Sequence, residues 1–441
     1  MPHECYGSII VIAITDPYNL FLMNRIITGI VGVLFCLCQA TGQEACYTSN
    51  YLQNIWQGSP EAARQAEAVK LFVDRQIAAR QADLSWRGDG TAVITVPVVV
   101  HILYNTPNQN ISDDRIYSQL KVLNDAFRRM AADTVNTPDR FKDRAADAEI
   151  EFRLATSDPN RRATTGIIHQ YTPISLWEPD DKMKYSAQMG ADAWDTDSYL
   201  NIWVCPLRRQ LGYASFPGGD PVLDGIVLNT AVVGVTGKGD YNQGKTAVHE
   251  AGHWLGLRHI WGDDYCGDDG VDDTPQQANF TNGCPTGVRV SCGNSKDGGD
   301  MYMNYMDITT DPCTNLFTEG QKQRMRALFD PGGARYALLR SGALNPPLYQ
   351  EIPVAEDAPT WLHPQLYPNP ATAGVTLDLA YDPRWVGATL VVTNLQGVVV
   401  KKAVISNKIQ VLDIRTLKPG LYLLNARRAD GVSLKFKLVK I

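Results

Sequence analysis

The segment "HEAGHWLGLRH" at 249–259 limits what this chain can fold into more than any other stretch, because three of the seven histidines fall inside it. His249 and His253 stand four apart, so on a helix they project from one face, a turn apart. Gly256 suits the left-handed residue that ends a helix, and beyond that turn His259 can reach the same point from another direction. The fold must therefore bring a helix, a sharp stop and a returning stretch of chain to one place. Neutral imidazoles so placed can share one Zn²⁺, and three nitrogens leave a fourth position for water. Glu250, beside the first histidine, can reach that water without being a ligand. Zinc lowers the water's pKa toward neutrality, and the carboxylate accepts its proton.

With 441 residues, two or three domains are expected. A formal net charge of −6 gives no footing for nucleic acid or an anionic membrane surface. Met23, Asn24 and Arg25 precede the apolar run "IITGIVGVLFCLC" and the small residues Ala40 and Gly42, the pattern of a signal peptide over 1–42 that starts at Met23. That run is short for a spanning helix, and no stable membrane span is expected in the mature form; a permanent membrane anchor is the alternative. Residues 43–87 are rich in helix formers after a Ser-Pro cap signal, and read as a propeptide. Over 88–340, apolar strands such as "AVITVPVVVHIL" and "DGIVLN" interleave with helices at 112–130 and 242–256. An α/β (α+β) domain is expected there. Thr318 and Gln321 form a capping box for a later helix. A Pro-rich linker over 341–365 leads to about six short strands at 366–441, a small all-β sandwich.

Six cysteines lie beyond the signal: Cys46, Cys205, Cys266, Cys284, Cys292 and Cys313. The last four fall in an irregular Gly/Asp/Asn-rich stretch. In an exported chain they read as two disulfides with three pairings open, and the C-x-x-C pairs of a four-cysteine zinc site are missing. Cys46, four residues into the expected mature chain, can put a thiolate on the zinc and displace the water. That makes it a candidate cysteine switch; the alternatives are a disulfide with Cys205 or a free thiol.

H-E-x-x-H-x-x-G-x-x-H followed by a Met-turn is the metzincin signature. With "GYASFPGG", "DGIVLN", "HEAGHWLGLRHIWGD", "VDDTP", "MNYMD" and "NLFTEGQKQRMR", the text over about 88–335 resembles the pappalysin family of metzincins, including ulilysin-like bacterial members. The resemblance implies a two-lobed zinc endopeptidase acting on proteins and peptides, with Met306 as the Met-turn residue beneath the histidines. It also implies Cys266–Cys292 and Cys284–Cys313 pairs. Structural calcium is implied at "CGDDGVDDTP", with Asp269 and Thr274 foremost, then Asp272 and Asp273. "LGYASFP" resembles the rim strand that holds substrate by main-chain hydrogen bonds. Several family members prefer Arg or Lys after the scissile bond, served by an acid beyond the Met-turn; Asp311 is the candidate here.

One position departs from the family. Its tyrosine after M-D is Ile308 here, which donates no hydrogen bond. The alternative this supports is a non-catalytic surface binding protein on a metzincin scaffold. "LYPNPA", "LKPGLYLLNARRADG" and the final "KFKLVKI" resemble the C-terminal sorting domain of type IX secretion. That implies a secreted or cell-surface protein of a Gram-negative, Bacteroidota-like source, handled by that machinery. A carbohydrate-binding or adhesive sandwich is the alternative.

Overall fold

The computed structural model describes residues 46–82, 92–237, 239–350, 364–379, 385–407, 409–428 and 433–441. The expected signal peptide, the end of the expected propeptide and most of the expected linker lie outside them. Two helices come first, α1 (Thr48–Gly58) and α2 (Pro60–Ala82). None of the described helices is long and apolar enough to cross a membrane.

The β-branched run at 94–104 forms β1 (Ile94–Tyr104), buried from Val96 to Leu103. A strand buried on both faces needs neighbours on both sides and layers above and below. α3 (Asp113–Phe127) supplies one layer through Ile116, Leu120, Leu123 and Phe127. It ends three residues before the expected Met130, because Arg129 is left-handed (φ 51°), and Met130 is exposed. The chain continues through β2 (Ala145–Ala146), β3 (Ile150–Leu154), β4 (Ile167–Tyr171), β5 (Leu200–Cys205), β6 (Gly212–Ala214) and β7 (Ile226–Asn229). The sheet order is β3-β1-β5-β7-β6, with β4 also on β1. All pairs are parallel except β6 with β7, which leaves β6 as an antiparallel edge strand.

Helix α4 (Lys245–Trp254) is buried at every residue, and its apolar side joins the main core with Ile226, Leu228, Met306 and Phe317. A short strand β8 (Phe317–Thr318) pairs with β2 and runs into α5 (Glu319–Ala327), where the Thr318–Gln321 capping box forms as expected. Between α4 and β8, Cys266–Cys292 and Cys284–Cys313 are disulfide-bonded, whereas Cys46 and Cys205 are free and buried. Residues 341–349 open the expected linker but are strung along the domain: the Ser157 amide donates to the Ala343 carbonyl and the Ala163 amide to the Tyr349 carbonyl.

The C-terminal region is all β. One sheet holds β9 (Gln365–Tyr367), β10 (Gly374–Asp378) and β13 (Ile409–Asp413); the other holds β11 (Thr389–Asn394), β12 (Val399–Val404), β14 (Gly420–Arg427) and β15 (Ser433–Lys440). Their inward residues, among them Val375, Leu377, Leu390, Leu424 and Leu438, form a separate core. The strand the sequence did not announce is β9, only three residues long.

Candidate active site

Helix α4 is expected from 242 but begins at Lys245, because Gly244 is left-handed (φ 75°) and the Asn242 carbonyl is taken by the Thr236 amide at 2.8 Å. Its far end stops as the sequence requires. Gly256 has φ 81°, the Gly256 amide donates to the His253 carbonyl (2.8 Å), and the Leu257 amide donates to the Gly252 carbonyl (2.9 Å). This pair of bonds reverses the chain at a left-handed glycine. His259 is thereby returned to the face that carries His249 and His253.

The three Nε2 atoms form a triangle with sides of 3.0, 3.2 and 3.3 Å. A tetrahedral zinc with Zn–N of about 2.0–2.1 Å has donor–donor edges of about 3.3–3.4 Å. Each Nδ1 has its own acceptor: the Tyr305 carbonyl for His249 (2.7 Å), the Leu257 carbonyl for His253 (2.9 Å) and the Asp263 carboxylate for His259 (2.5 Å). With the protons held on Nδ1, the lone pairs of all three Nε2 atoms converge on one point. Burial, and then the neighbouring imidazoles, hold His249 down to about 3 and His253 well below the usual histidine range. Three convergent neutral donors repel one another unless a cation sits among them, so the residues fit zinc. Cys46 Sγ completes the set: all four donor atoms lie within 4.8 Å of one another, and the sulfur is 3.5 Å from His253 Nε2.

Glu250 is fully buried next to this cluster. Its Oε2 accepts from Thr48 Oγ1 at 2.8 Å, and its Oε1 is buried with no hydrogen-bond partner among the described residues. Burial pushes its carboxyl up to about 8, against the lowering bonds from Thr48 and Cys46. Thr48 Oγ1 also accepts from the Ala214 amide (3.0 Å), and the Tyr47 amide donates to the Gly212 carbonyl (3.1 Å). Residues 46–48 thus lie along edge strand β6 and cover both the histidines and the glutamate.

Met306 is fully buried, held at its amide by Asn304 Oδ1 (2.9 Å). Asn304 in turn exchanges side-chain amide bonds with Gln321 of α5. A Cβ on Gly252 would lie 2.4 Å from Met306 Sδ, so the middle of the histidine helix is glycine because the methionine packs directly on it. Gly252→Ala is expected to destabilise the protein by about 1–3 kcal/mol through overpacking. Thermal unfolding checks this; an unchanged midpoint would mean that Met306 moves aside without cost.

Asp263 is the support that inspection of the motif missed. It lies one turn after His259, adopts a left-handed φ of 64°, and its Oδ1 also takes a bond from Ser49 Oγ (2.5 Å). The Trp261 ring stacks on the His259 imidazole at 4.3 Å. Asp263→Asn keeps an acceptor but removes the charge, and is expected to weaken zinc binding by about 10–100-fold. Competition with a chromogenic chelator measures it, and equal affinity would leave Asp263 no part in the site. Its sequence signal was the spacing of four from a ligand histidine.

Asp311 lines a small cavity of about 30 Å³ with Cys46, Tyr241, His249, Asp307 and Ile308, so it does lie beside the cluster. Its Oδ2 accepts from the amides of Gln243 (2.7 Å) and Lys245 (3.3 Å). Burial raises its carboxyl, and Asp307 is pushed up to about 6 by the same cause. Ile308 faces this cavity, and its carbonyl accepts from Tyr241 Oη at 3.1 Å. In the acidic loop, Asp269 is buried and accepts from Thr274 Oγ1 (2.9 Å) and the Val271 amide (3.1 Å). Asp273 caps the Gly320 amide (2.9 Å), and Asp272 is exposed. Among the described residues, these carboxylates are not gathered into a metal-sized group; the histidine–cysteine set is.

Residues 183–330 match the peptidase family described as pregnancy-associated plasma protein-A, and residues 365–440 match the secretion system C-terminal sorting domain. An extracellular metalloprotease of Arthroderma gypseum is 30% identical over 250 residues, covering 54% of this chain and 73% of its own. Among solved structures, a promirolysin mutant from Tannerella forsythia is 41% identical with a TM-score of 0.61, covering 67% of this chain and 97% of that one. Mature mirolysin of the same organism, in complex with a cleaved peptide, is 46% identical with a TM-score of 0.55, covering 56% and 96%.

Proposed function

The chain belongs to the pappalysin family of metzincins and is a secreted or cell-surface metalloendopeptidase with a C-terminal sorting domain; on that basis we propose that Glu250 is its general base and that the form described is a latent precursor. The triangle of Nε2 atoms with Cys46 at its fourth corner carries this reading. His249, His253 and His259 are the zinc ligands, and Met306 is the floor beneath them. Zinc bound there supplies a Lewis acid that brings the pKa of water near neutrality.

Glu250 takes the proton of the attacking water at its unbonded Oε1 side and returns it to the leaving nitrogen. The Gly212 carbonyl and the Ala214 amide of β6, occupied in the precursor by Tyr47 and Thr48, hold an extended substrate by its main chain. Ile308 donates nothing to the transition state. In the precursor Cys46 takes the place of water, and Thr48 caps the base. The expected propeptide is fastened at its far end, where Arg80 pairs with Asp330 (2.6 Å) and Asp74 with Arg324 (2.8 Å).

The cavity beside His249 receives the residue after the cut. Lys245 is paired with Asp133, so Asp311, with Asp307 beside it in the lining, gives the cavity an acidic character that favours Arg or Lys. Calcium at the acidic loop, through Asp269 and Thr274, belongs to the same reading. The test is digestion of a denatured protein mixture by the activated protein, with new termini mapped against a Glu250→Ala control. Cuts confined to wild type and followed by Arg or Lys support the whole reading. Wild-type cuts with no basic preference would remove Asp311 from it, and identical termini in both samples would remove Glu250.

A further inference from the structure

A buried lysine sits behind the rim strand with no part in the chemistry above. The Lys184 side chain is fully buried, and its ammonium bonds Asp181 (2.9 Å) and the Leu223 carbonyl (2.7 Å). Three rings surround it, with centroids at 5.2 Å (Tyr213), 5.3 Å (Trp203) and 5.4 Å (Tyr51). Two of these rings belong to the sheet, on β6 and β5. The third comes from α1, in the expected propeptide. Tyr51 packs on Tyr213 with centroids 4.9 Å apart, and its buried hydroxyl makes no well-formed hydrogen bond.

The walls of this recess do not depend on Tyr51. Tyr213 Oη donates to Asp181 Oδ1 (3.0 Å), Trp203 Nε1 donates to the Ala191 carbonyl (2.8 Å), and Lys184 keeps both its partners. Withdrawal of α1, which packs Leu52 and Trp56 on the same cluster, therefore uncovers the Trp203 and Tyr213 rings and the Lys184 cation already held in place by bonds of their own. Because the Lys184 charge is balanced by Asp181, the recess does not select acids. What it offers is ring stacking and cation–π attraction.

We propose that, in the activated enzyme, this recess is a substrate subsite that takes an aromatic side chain, with Tyr51 as its occupant in the precursor. The proposal rests on the latency reading above. Side chains alternate across β6, so Tyr213 faces the recess while positions 212 and 214 face α4, where a Cβ on Gly212 would meet Glu250; the outward Gly212 carbonyl and Ala214 amide hold the main chain between the two faces. Tyr51 follows Cys46 by five residues, of which only those from Thr48 on are helical, so the two stand about 8–11 Å apart along the chain. An extended substrate covers the same distance in about two to three residues. The aromatic should therefore stand at one fixed place, about two to four residues from the cut.

The test is a map of cut sites in a denatured proteome, made by full-length protein activated by removal of its N-terminal segment, alongside its Lys184→Met variant. Wild type is expected to show Phe, Tyr or Trp enriched about tenfold at one position in that window, the factor a desolvated cation–π contact can supply. Lys184→Met should lose the enrichment while the residue directly after the cut stays the same. No aromatic enrichment in wild type, or enrichment that survives in the variant, overturns the subsite. If the variant does not fold, the wild-type map still decides. A wild type that cuts nothing overturns the catalytic reading along with the subsite, and equal cutting before activation overturns the latency on which it rests.

Discussion

Glu250→Ala is expected to lower the rate of peptide cleavage by about 10³–10⁴-fold, toward the upper end of what one positioned general base contributes, while the zinc content stays that of wild type. The two effects separate because the carboxylate stands outside the donor triangle. Its Oε2 accepts from Thr48 and it is no member of the convergent donor group, whereas each histidine is oriented by an acceptor elsewhere: the Tyr305 carbonyl, the Leu257 carbonyl and the Asp263 carboxylate. Alanine is a good helix former, so α4 tolerates the change. Zinc measured by mass spectrometry and turnover of a quenched peptide give the two readouts. Parallel loss of metal and activity would mean that Glu250 is structural. Retained activity would assign the proton to another group.

The second large effect concerns latency. Cys46→Ala is expected to raise the activity of the uncleaved precursor about a hundredfold, the consequence of losing a contact worth about 3 kcal/mol. Release should be incomplete at first. Thr48 still caps Glu250, Tyr47 still pairs with Gly212, and the ion pairs Arg80–Asp330 and Asp74–Arg324 still fasten α2. The variant should therefore show early self-cleavage rather than the full rate of the mature enzyme. Turnover of a small peptide by freshly purified precursor, before any new band appears, is the measurement. A precursor as silent as wild type would mean that Thr48 and β6 pairing maintain latency without the sulfur.

The local part of the site was legible in the sequence. A spacing of four on a helix, a glycine at the stop and a third histidine three residues on define a candidate ligand set, and short-range geometry brings its three imidazoles together. The same locality made the capping box at Thr318 and Gln321 readable, and strands such as β1 follow from an unbroken β-branched run. Where local signals were weak, boundaries moved: α4 starts later than expected because Gly244 turns left-handed, α3 stops at Phe127, and β9 is too short to announce itself.

Only the tertiary structure decided which distant groups complete the site. Thr48 meets Glu250 across 202 positions and Ser49 meets Asp263 across 214. Met306 determines why residue 252 is glycine, and Tyr51 closes a cage built from Lys184, Trp203 and Tyr213. No periodicity or spacing encodes such contacts, because they arise when a sheet edge, a core helix and an N-terminal helix pack together. The sequence by itself determined what chemistry the histidines and Glu250 can perform; packing determined what covers them, what orients them and what their neighbours can bind.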